Sequence, residues 1–397
     1  MIAALASGES TIVGLSPGDD VAATSRIIVQ LGATRRDDGG VVTVTGVSNG
    51  LRASAEALDC GNSGTTMRLM TGVVSAVTGQ HMLIGDASLS RRPMDRIARP
   101  LALMGSVVEG SGSSVTPPLR VTGSNTLVGI DYVLPFASAQ VKSALLFAGL
   151  SAAGETIVHE DVRTRSTTEE MFAFAGLDVR SLDRGDGRTV TLAPGRPRAI
   201  EWRVPGDPSQ AAFFAVLGTV HLDAELAVSN VATSRERVGF VAVLRRMGGD
   251  VAFVEGTTST SLHAKSSVLR ATEVHAREIP SVDEVPALVV AAAAAIGVSA
   301  FRDMGELRVK ESDRFQGSLA LARALGCRAW SEGDNFFVEG LGSASRFEPF
   351  SVDASLDHRI VMASAVAGCA GAGCSISTAE TVASSYPGFF EDLESLS

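Results

Sequence analysis

A chain of 397 residues, 45% hydrophobic, 20% charged and 5% aromatic, is long enough for two cores and too rich in apolar residues to be disordered. A formal charge of -10 disfavours a general nucleic-acid binder, and four cysteines without a CxxC pair or His/Cys metal spacing point to a reducing compartment and imply no metal. With no basic, cleavable leader at its start, the chain is expected to be a cytoplasmic, two-domain globular enzyme.

Along the chain one phrase recurs: a helix of Leu, Ala and Met closes on a glycine, and a strand, a Gly/Asp turn and a second strand follow. It reads IIVQLGATRRDDGGVVTVTG, RPLALMGSVVEG, MFAFAGLDVRSLDRGDGRTVTLAP, LRRMGGDVAFVEG and LARALGCRAWSEGDNFFVEG. The closing glycines are Gly32, Gly105, Gly176, Gly248 and Gly326, where left-handed helix caps would stand. They lie about 72 residues apart, with a last gap of about 78, so each unit should hold roughly two helices and several strands. Five units are visible. The sixth ends in SSYPGFFEDLES, a final helix with no strands after it, and its remaining strands are expected from an N-terminal extension.

Between these phrases lie segments that mix glycines, cations and carboxylates in ways a core does not need. CGNSGTTMRLM, Cys60 to Met70, sets a Gly-Asn-Ser-Gly turn at a helix start. Its free N–H groups, with Asn62, Ser63 and Thr65, would suit an anion, and Arg68 lies one turn inside; a capped helix with a solvated arginine reads equally well. Arg91 and Arg92 precede Pro93 at the next helix start, a weak signal by itself. Ser138, Gln140 and Lys142 open a helix that runs apolar to Leu150, which fits a phosphate or carboxylate as well as plain capping.

In the second half, Asp283 and Glu284 stand ahead of the apolar run Val285 to Phe301, too short and too Ala-rich for a membrane span and expected as a buried helix. ELRVKESDRF gathers Arg308, Lys310, Glu311, Asp313 and Arg314 before LALARALG, and Asp357, His358 and Arg359 precede IVMASAVAG. Three apolar helices thus begin on charged groups, which is how anion and acid–base sites are built at helix N-termini.

In this order GNSGTTMRLM, RRPM, SAQVKSALL, VPGDPSQAAFF, DEVP, ELRVKESDR and LDHRI resemble the signature segments of the EPSP synthase family of enolpyruvyl transferases. They span Cys60 to Ile360, and the repeat extends the likeness nearly end to end. The resemblance implies an α/β (α+β) fold, a two-domain inverse α/β barrel of six βαβαββ units. Three units fall in residues 1–205 and three in 206–397, the sixth being incomplete.

The implied reaction moves the enolpyruvyl group of phosphoenolpyruvate to the 5-hydroxyl of shikimate 3-phosphate and releases phosphate, in the shikimate pathway to chorismate and aromatic amino acids. It needs no metal or organic cofactor, and two domains enclosing one site imply a monomer. By carry-over Asp283 accepts the proton of the attacking hydroxyl, Glu311 gives one to the methylene carbon and His358 assists; Asp20 and Asn62 stand at active-site positions of less definite role. Phosphoenolpyruvate falls to Gly64, Arg92, Gln140, Arg314 and Arg359, the arginines offering planar forks for carboxylate and phosphate oxygens. Shikimate 3-phosphate falls to Ser138, Ala139, Gln140, Arg165, Asp283 and Lys310, with Lys142 and Arg68 secondary. Gly64 keeps the pocket wall small, which implies that glyphosate competes with phosphoenolpyruvate.

Three departures accompany the likeness. The family opens on a Gly-Ser-Lys-Ser…Arg segment, whereas Met1 to Ala6 already matches the helix after it. The expected site is then short of a lysine and an arginine, through a start placed too far downstream or a genuinely short relative. Ser384 and Ser385 precede Tyr386-Pro387 where the family often has a lysine, and TRSTTEE, Thr164 to Glu170, replaces SRDHTE-like text while keeping Arg165. Two alternatives follow: a homologue acting on another phosphorylated cyclitol, and a non-catalytic anion-binding module, against which the retained Asp283, Glu311 and His358 speak. The sister enzyme acting on UDP-N-acetylglucosamine carries a loop cysteine, and none occurs here from Gly61 to Gly326.

Overall fold

The computed structural model describes residues 1–112, 114–257 and 259–396. The chain divides between Val204 and Pro205 into two compact units, each with its own core.

In the first unit three four-stranded sheets share one plan. Their strand orders are Glu201–Arg203, Glu9–Val13, Val41–Thr45, Thr34–Asp38; then Leu58–Asp59, Gly79–Ile84, Thr116–Gly123, Val107–Ser111; and finally Asp131–Val133, Thr156–Glu160, Gly187–Leu192, Val179–Arg184. In each, the first pair is parallel and the other two are antiparallel. The parallel edge strand of the second and third sheets lies just ahead in sequence, joined by a crossover helix. In the first sheet it comes from the far end of the unit, with Thr11 opposite Glu201 and Val13 opposite Arg203.

The second unit repeats the plan once in full, with Glu273–His275, Ile296–Arg302, Asn335–Leu341 and Arg328–Glu332. Beside it stand an antiparallel sheet of Glu225–Val228, Thr260–Lys265 and Asp250–Glu255, and a parallel pair of Phe350–Asp353 and Cys374–Ser377. Among the described residues that pair carries no antiparallel hairpin.

The five glycines of the repeat all adopt positive φ, from 80° to 107°, each turning a helix end into the following strand. An L side chain there would cost about 1–2 kcal/mol, so the glycine is the local reason the chain turns where it does. Two of the crossover helices lie almost wholly inside their units. In Ala139–Gly149 every residue from Val141 onward is buried, and in Val285–Ala294 all 10 are.

The apolar run from Val285 to Phe301 is not one helix. The helix stops at Ala294, Ala295 is extended, and Ile296–Arg302 forms a strand. A short apolar run has no periodicity to separate helix from strand; here Gly297 at φ 104° is incompatible with helix, and the β-branched Ile296 and Val298 favour the strand. No helix among the described residues is long and apolar enough to cross a membrane.

One close approach matters for the site. A Cβ at Gly72 would collide with the carbonyl oxygen of Ala144, so helices Gly64–Ser75 and Ala139–Gly149 meet backbone to backbone. Their first turns are thereby brought side by side.

Candidate active site

In the first unit, Ser63 and Ser138 cap these two helices. Ser63 Oγ accepts from the Thr66 amide at 3.1 Å and Ser138 Oγ from the Val141 amide at 3.4 Å. Gln140 then bridges the helices, accepting from Arg68 Nη1 at 2.7 Å and donating to Thr65 Oγ1 at 2.8 Å. Asn62, just ahead of the first cap, donates to Asp86 at 2.6 Å and accepts from Arg92 Nη2 at 2.8 Å. Two guanidinium groups now overlie one helix start, because a Cβ on Gly64 would lie 3.0 Å from Arg68 Nη1 and 3.2 Å from Arg92 Nη1. Such an arrangement suits a phosphate or a carboxylate. Asp20 joins it through its carbonyl, which accepts from Thr66 Oγ1 at 3.2 Å. Nothing in the sequence singles out Asp86, which reads as an ordinary Gly-Asp turn.

Lys142 is placed differently from its neighbours on the same helix. Its side chain is fully buried, with Nζ 2.9 Å from Glu160 and 2.6 Å from Glu169, and it donates to the Arg165 carbonyl at 3.0 Å. Thr164 Oγ1 donates to the second oxygen of Glu160. The lysine therefore ties down the segment that carries Arg165. Burial pushes the Glu169 carboxyl up, against the opposing pull of Lys142.

In the second unit the charged helix starts come together. Asp313 caps Arg314–Ala324 and Asp357 caps His358–Ala370, accepting from Gln316 N at 3.1 Å and Arg359 N at 2.9 Å. Arg314, 1% exposed, occupies the centre. Its Nε donates to Asp357 Oδ2 at 2.9 Å, Nη2 to Asp357 Oδ1 at 3.2 Å and to Glu311 at 2.6 Å, and Nη1 to Asp283 at 3.0 Å. Ser312 Oγ adds a donor to Asp357 at 2.9 Å. Asp283, Glu311 and Asp357, scattered in sequence, thus meet on one guanidinium. Of roughly five N–H donors on an arginine, one is left for a ligand, so Arg314 chiefly orders carboxylates.

The charges follow from this packing. Burial works against the Arg314 cation, yet the three carboxylates outweigh it and hold its proton more tightly than usual. Burial likewise raises Glu311 and Asp357, but Arg314 and His358 outweigh it and leave both carboxyls below their ordinary range. His358 is lowered to about 4, first by burial and then by the neighbouring Arg359 charge, so its ring is neutral near pH 7.

Arg359 is 6% exposed and lies beneath the Phe213 ring, its guanidinium carbon 5.8 Å from the centroid. Its Nε and Nη1 have no partner among the described residues. A buried guanidinium with empty donors is costly and is tolerable where an anion arrives to fill them. Lys310 Nζ donates to the Ser281 carbonyl at 3.1 Å and to Glu306 at 2.9 Å. Ser384 Oγ stands 3.4 Å from His358 Nδ1.

The comparisons agree with one another. A family model described as EPSP synthase (3-phosphoshikimate 1-carboxyvinyltransferase) matches residues 1–393. The 3-phosphoshikimate 1-carboxyvinyltransferase of Lactococcus lactis subsp. lactis (strain IL1403) is 38% identical over 406 residues, covering 100% of this chain and 93% of that protein. Its counterpart in Gloeobacter violaceus (strain ATCC 29082 / PCC 7421) is 42% identical over 404 residues, covering 99% and 92%. A solved EPSP synthase from Acinetobacter baumannii aligns with a TM-score of 0.88 at 37% identity, over 100% of this chain and 92% of that one. The enolpyruvyl transferase NikO of Streptomyces tendae, 19% identical with a TM-score of 0.76 over 100% and 90%, shares the fold.

Proposed function

The chain belongs to the EPSP synthase family, and on that footing we propose that it transfers the enolpyruvyl group of phosphoenolpyruvate to the 5-hydroxyl of shikimate 3-phosphate, releasing phosphate, in the cytoplasm. The observation that carries this reading is the meeting of Asp283 and Glu311 on the Arg314 guanidinium. Such a transfer needs a base for the attacking hydroxyl, an acid for the methylene carbon, and cations for two phosphates and a carboxylate.

Asp283 takes the hydroxyl proton and Glu311 gives one to the methylene carbon as the oxygen attacks the adjacent carbon. Loss of phosphate together with a proton from the new methyl group restores the double bond, now on the acceptor. Glu311 begins as a carboxylate held low by Arg314 and His358. An anionic substrate beside Arg314 opposes that pull and raises the Glu311 carboxyl toward protonation as the substrate binds. Neutral His358 assists as a hydrogen-bonding group, and Asn62 fixes Arg92.

For phosphoenolpyruvate this reading nominates Gly64, Arg92 and Gln140 in the first unit, and Arg314 and Arg359, with its empty donors, in the second. For shikimate 3-phosphate it nominates Ser138, Ala139, Gln140 and Arg165 in the first unit and Asp283 and Lys310 in the second. Following inorganic phosphate with both substrates tests the reading. Stoichiometric phosphate and the enolpyruvyl ether are expected. No release at saturating substrate defeats it, and release with another phosphorylated cyclitol alone moves the acceptor.

A further inference from the structure

Glu284, the neighbour of Asp283, has no bond to Arg314. It is 2% exposed and takes one hydroxyl on each oxygen: Ser281 Oγ donates to Oε2 at 2.8 Å, and Ser209 Oγ donates to Oε1. Ser209 in turn accepts from Arg237 Nη2 at 2.7 Å, and the same nitrogen donates to Asp207. The segment VPGDPSQAAFF, to which no substrate contact falls, is thereby fastened to the segment that carries the proposed base. Between Ser281 and Asp283 lies Val282, buried and at φ 51°.

A β-branched residue in the left-handed region is strained and persists where its surroundings hold it there. The holds are visible. The Val282 amide donates to the Ile279 carbonyl at 2.8 Å, Lys310 grips the Ser281 carbonyl, and the two hydroxyls pin Glu284. A return to ordinary backbone would turn φ through about 100° or more and swing the next side chain, Asp283, away from Arg314.

We propose that Ser209, acting through Glu284, is a positioning residue for Asp283: the Arg237–Ser209–Glu284–Ser281 chain of hydrogen bonds clamps Val282 in its left-handed conformation and so sets the direction from which the Asp283 carboxylate meets the acceptor hydroxyl. This rests on Asp283 being the base.

Ser209→Ala removes the central hydroxyl and tests the clamp in the full chain. In its crystal structure residue 282 leaves the left-handed region, and kcat falls about 10- to 100-fold while KM for phosphoenolpyruvate changes less than about twofold. Adding Val282→Gly, for which positive φ is unstrained, restores most of the lost kcat, and kcat recovered without a matching gain in urea-unfolding stability over Ser209→Ala is the expected result. If Ser209→Ala folds poorly, Arg237→Lys loosens the outer link alone and gives the same readouts on a smaller scale. Val282 remaining near its present φ, or an unchanged kcat, overturns the proposal. Asp283→Asn separates it from its premise. Full kcat in that variant removes Asp283 as the base, whereas an inactive Asp283→Asn beside a normal Ser209→Ala removes the clamp alone.

Discussion

Arg314 and Asp357 form a two-pronged pair out of contact with solvent: Nε reaches one carboxylate oxygen at 2.9 Å, Nη2 the other at 3.2 Å, and their side chains are 1% and 0% exposed. One edge of the guanidinium is fixed to the helix start it shares with His358, so the opposite edge presents Asp283 and Glu311 in a set geometry.

Asp357→Ala strips the fixed edge and leaves a buried cation short of a partner. A loss of about 3–5 kcal/mol in urea unfolding at pH 7 is expected. Since the folded pKa of Asp357 lies below its ordinary 3.8, its contribution is present above that value and is lost as pH falls through the lower folded one. The gap between the parent and the variant should therefore narrow in acid; a gap independent of pH would contradict the pairing.

His358 should be invisible to titration near neutrality. Its ring takes a proton at about 4 rather than 6.5. Between those values the unfolded chain binds a proton that the folded chain refuses, so this group makes stability rise with pH across that window. NMR of the ring nitrogens checks it, and an inflection near 6.5 would contradict the burial argument.

Phosphoenolpyruvate binding should draw a proton from solution. Glu311 is held deprotonated chiefly by the Arg314 cation, and an incoming anion weakens that pull. Calorimetry at pH 7 in buffers of differing ionisation enthalpy should show uptake of a fraction of a proton, abolished in Glu311→Gln. Equal uptake in that variant would assign the proton to another group.

Lys142 and its two carboxyls should respond unequally to substitution. Lys142→Met leaves two buried carboxyls without their cation and should cost about 3–5 kcal/mol. Glu169, whose carboxyl is raised by burial, gives up its proton less readily than an ordinary glutamate, so Glu169→Gln should cost less than Lys142→Met. A raised folded pKa contributes stability that is full below the ordinary value of 4.5 and is lost as pH rises, and Glu169→Gln should flatten that decline. Thermal unfolding of both variants across pH decides it.

What the sequence made legible was local. Gly32, Gly105, Gly176, Gly248 and Gly326 announce the repeat because each needs a backbone conformation that other residues resist, and that need is written at one position. The charged helix starts at Asp283, Arg314 and Asp357 are likewise readable one at a time. Their meeting is not, because it depends on how separate helices pack. No spacing rule reveals that Arg314 would be occupied by three carboxylates, or that Glu160 and Glu169 would close over Lys142. The split of the apolar run at Ala295 was hidden for the opposite reason: an all-apolar stretch satisfies helix and strand alike.

The pairing of Glu9–Val13 with Glu201–Arg203 bears on how the chain is made. On a ribosome adding about 5–20 residues each second, Thr11 emerges about 10–40 s before its partner Glu201. Throughout that interval one edge of the first sheet has no mate within the nascent chain. Rare codons or a chaperone acting between these two points would therefore change the yield of folded protein without touching any residue of the site.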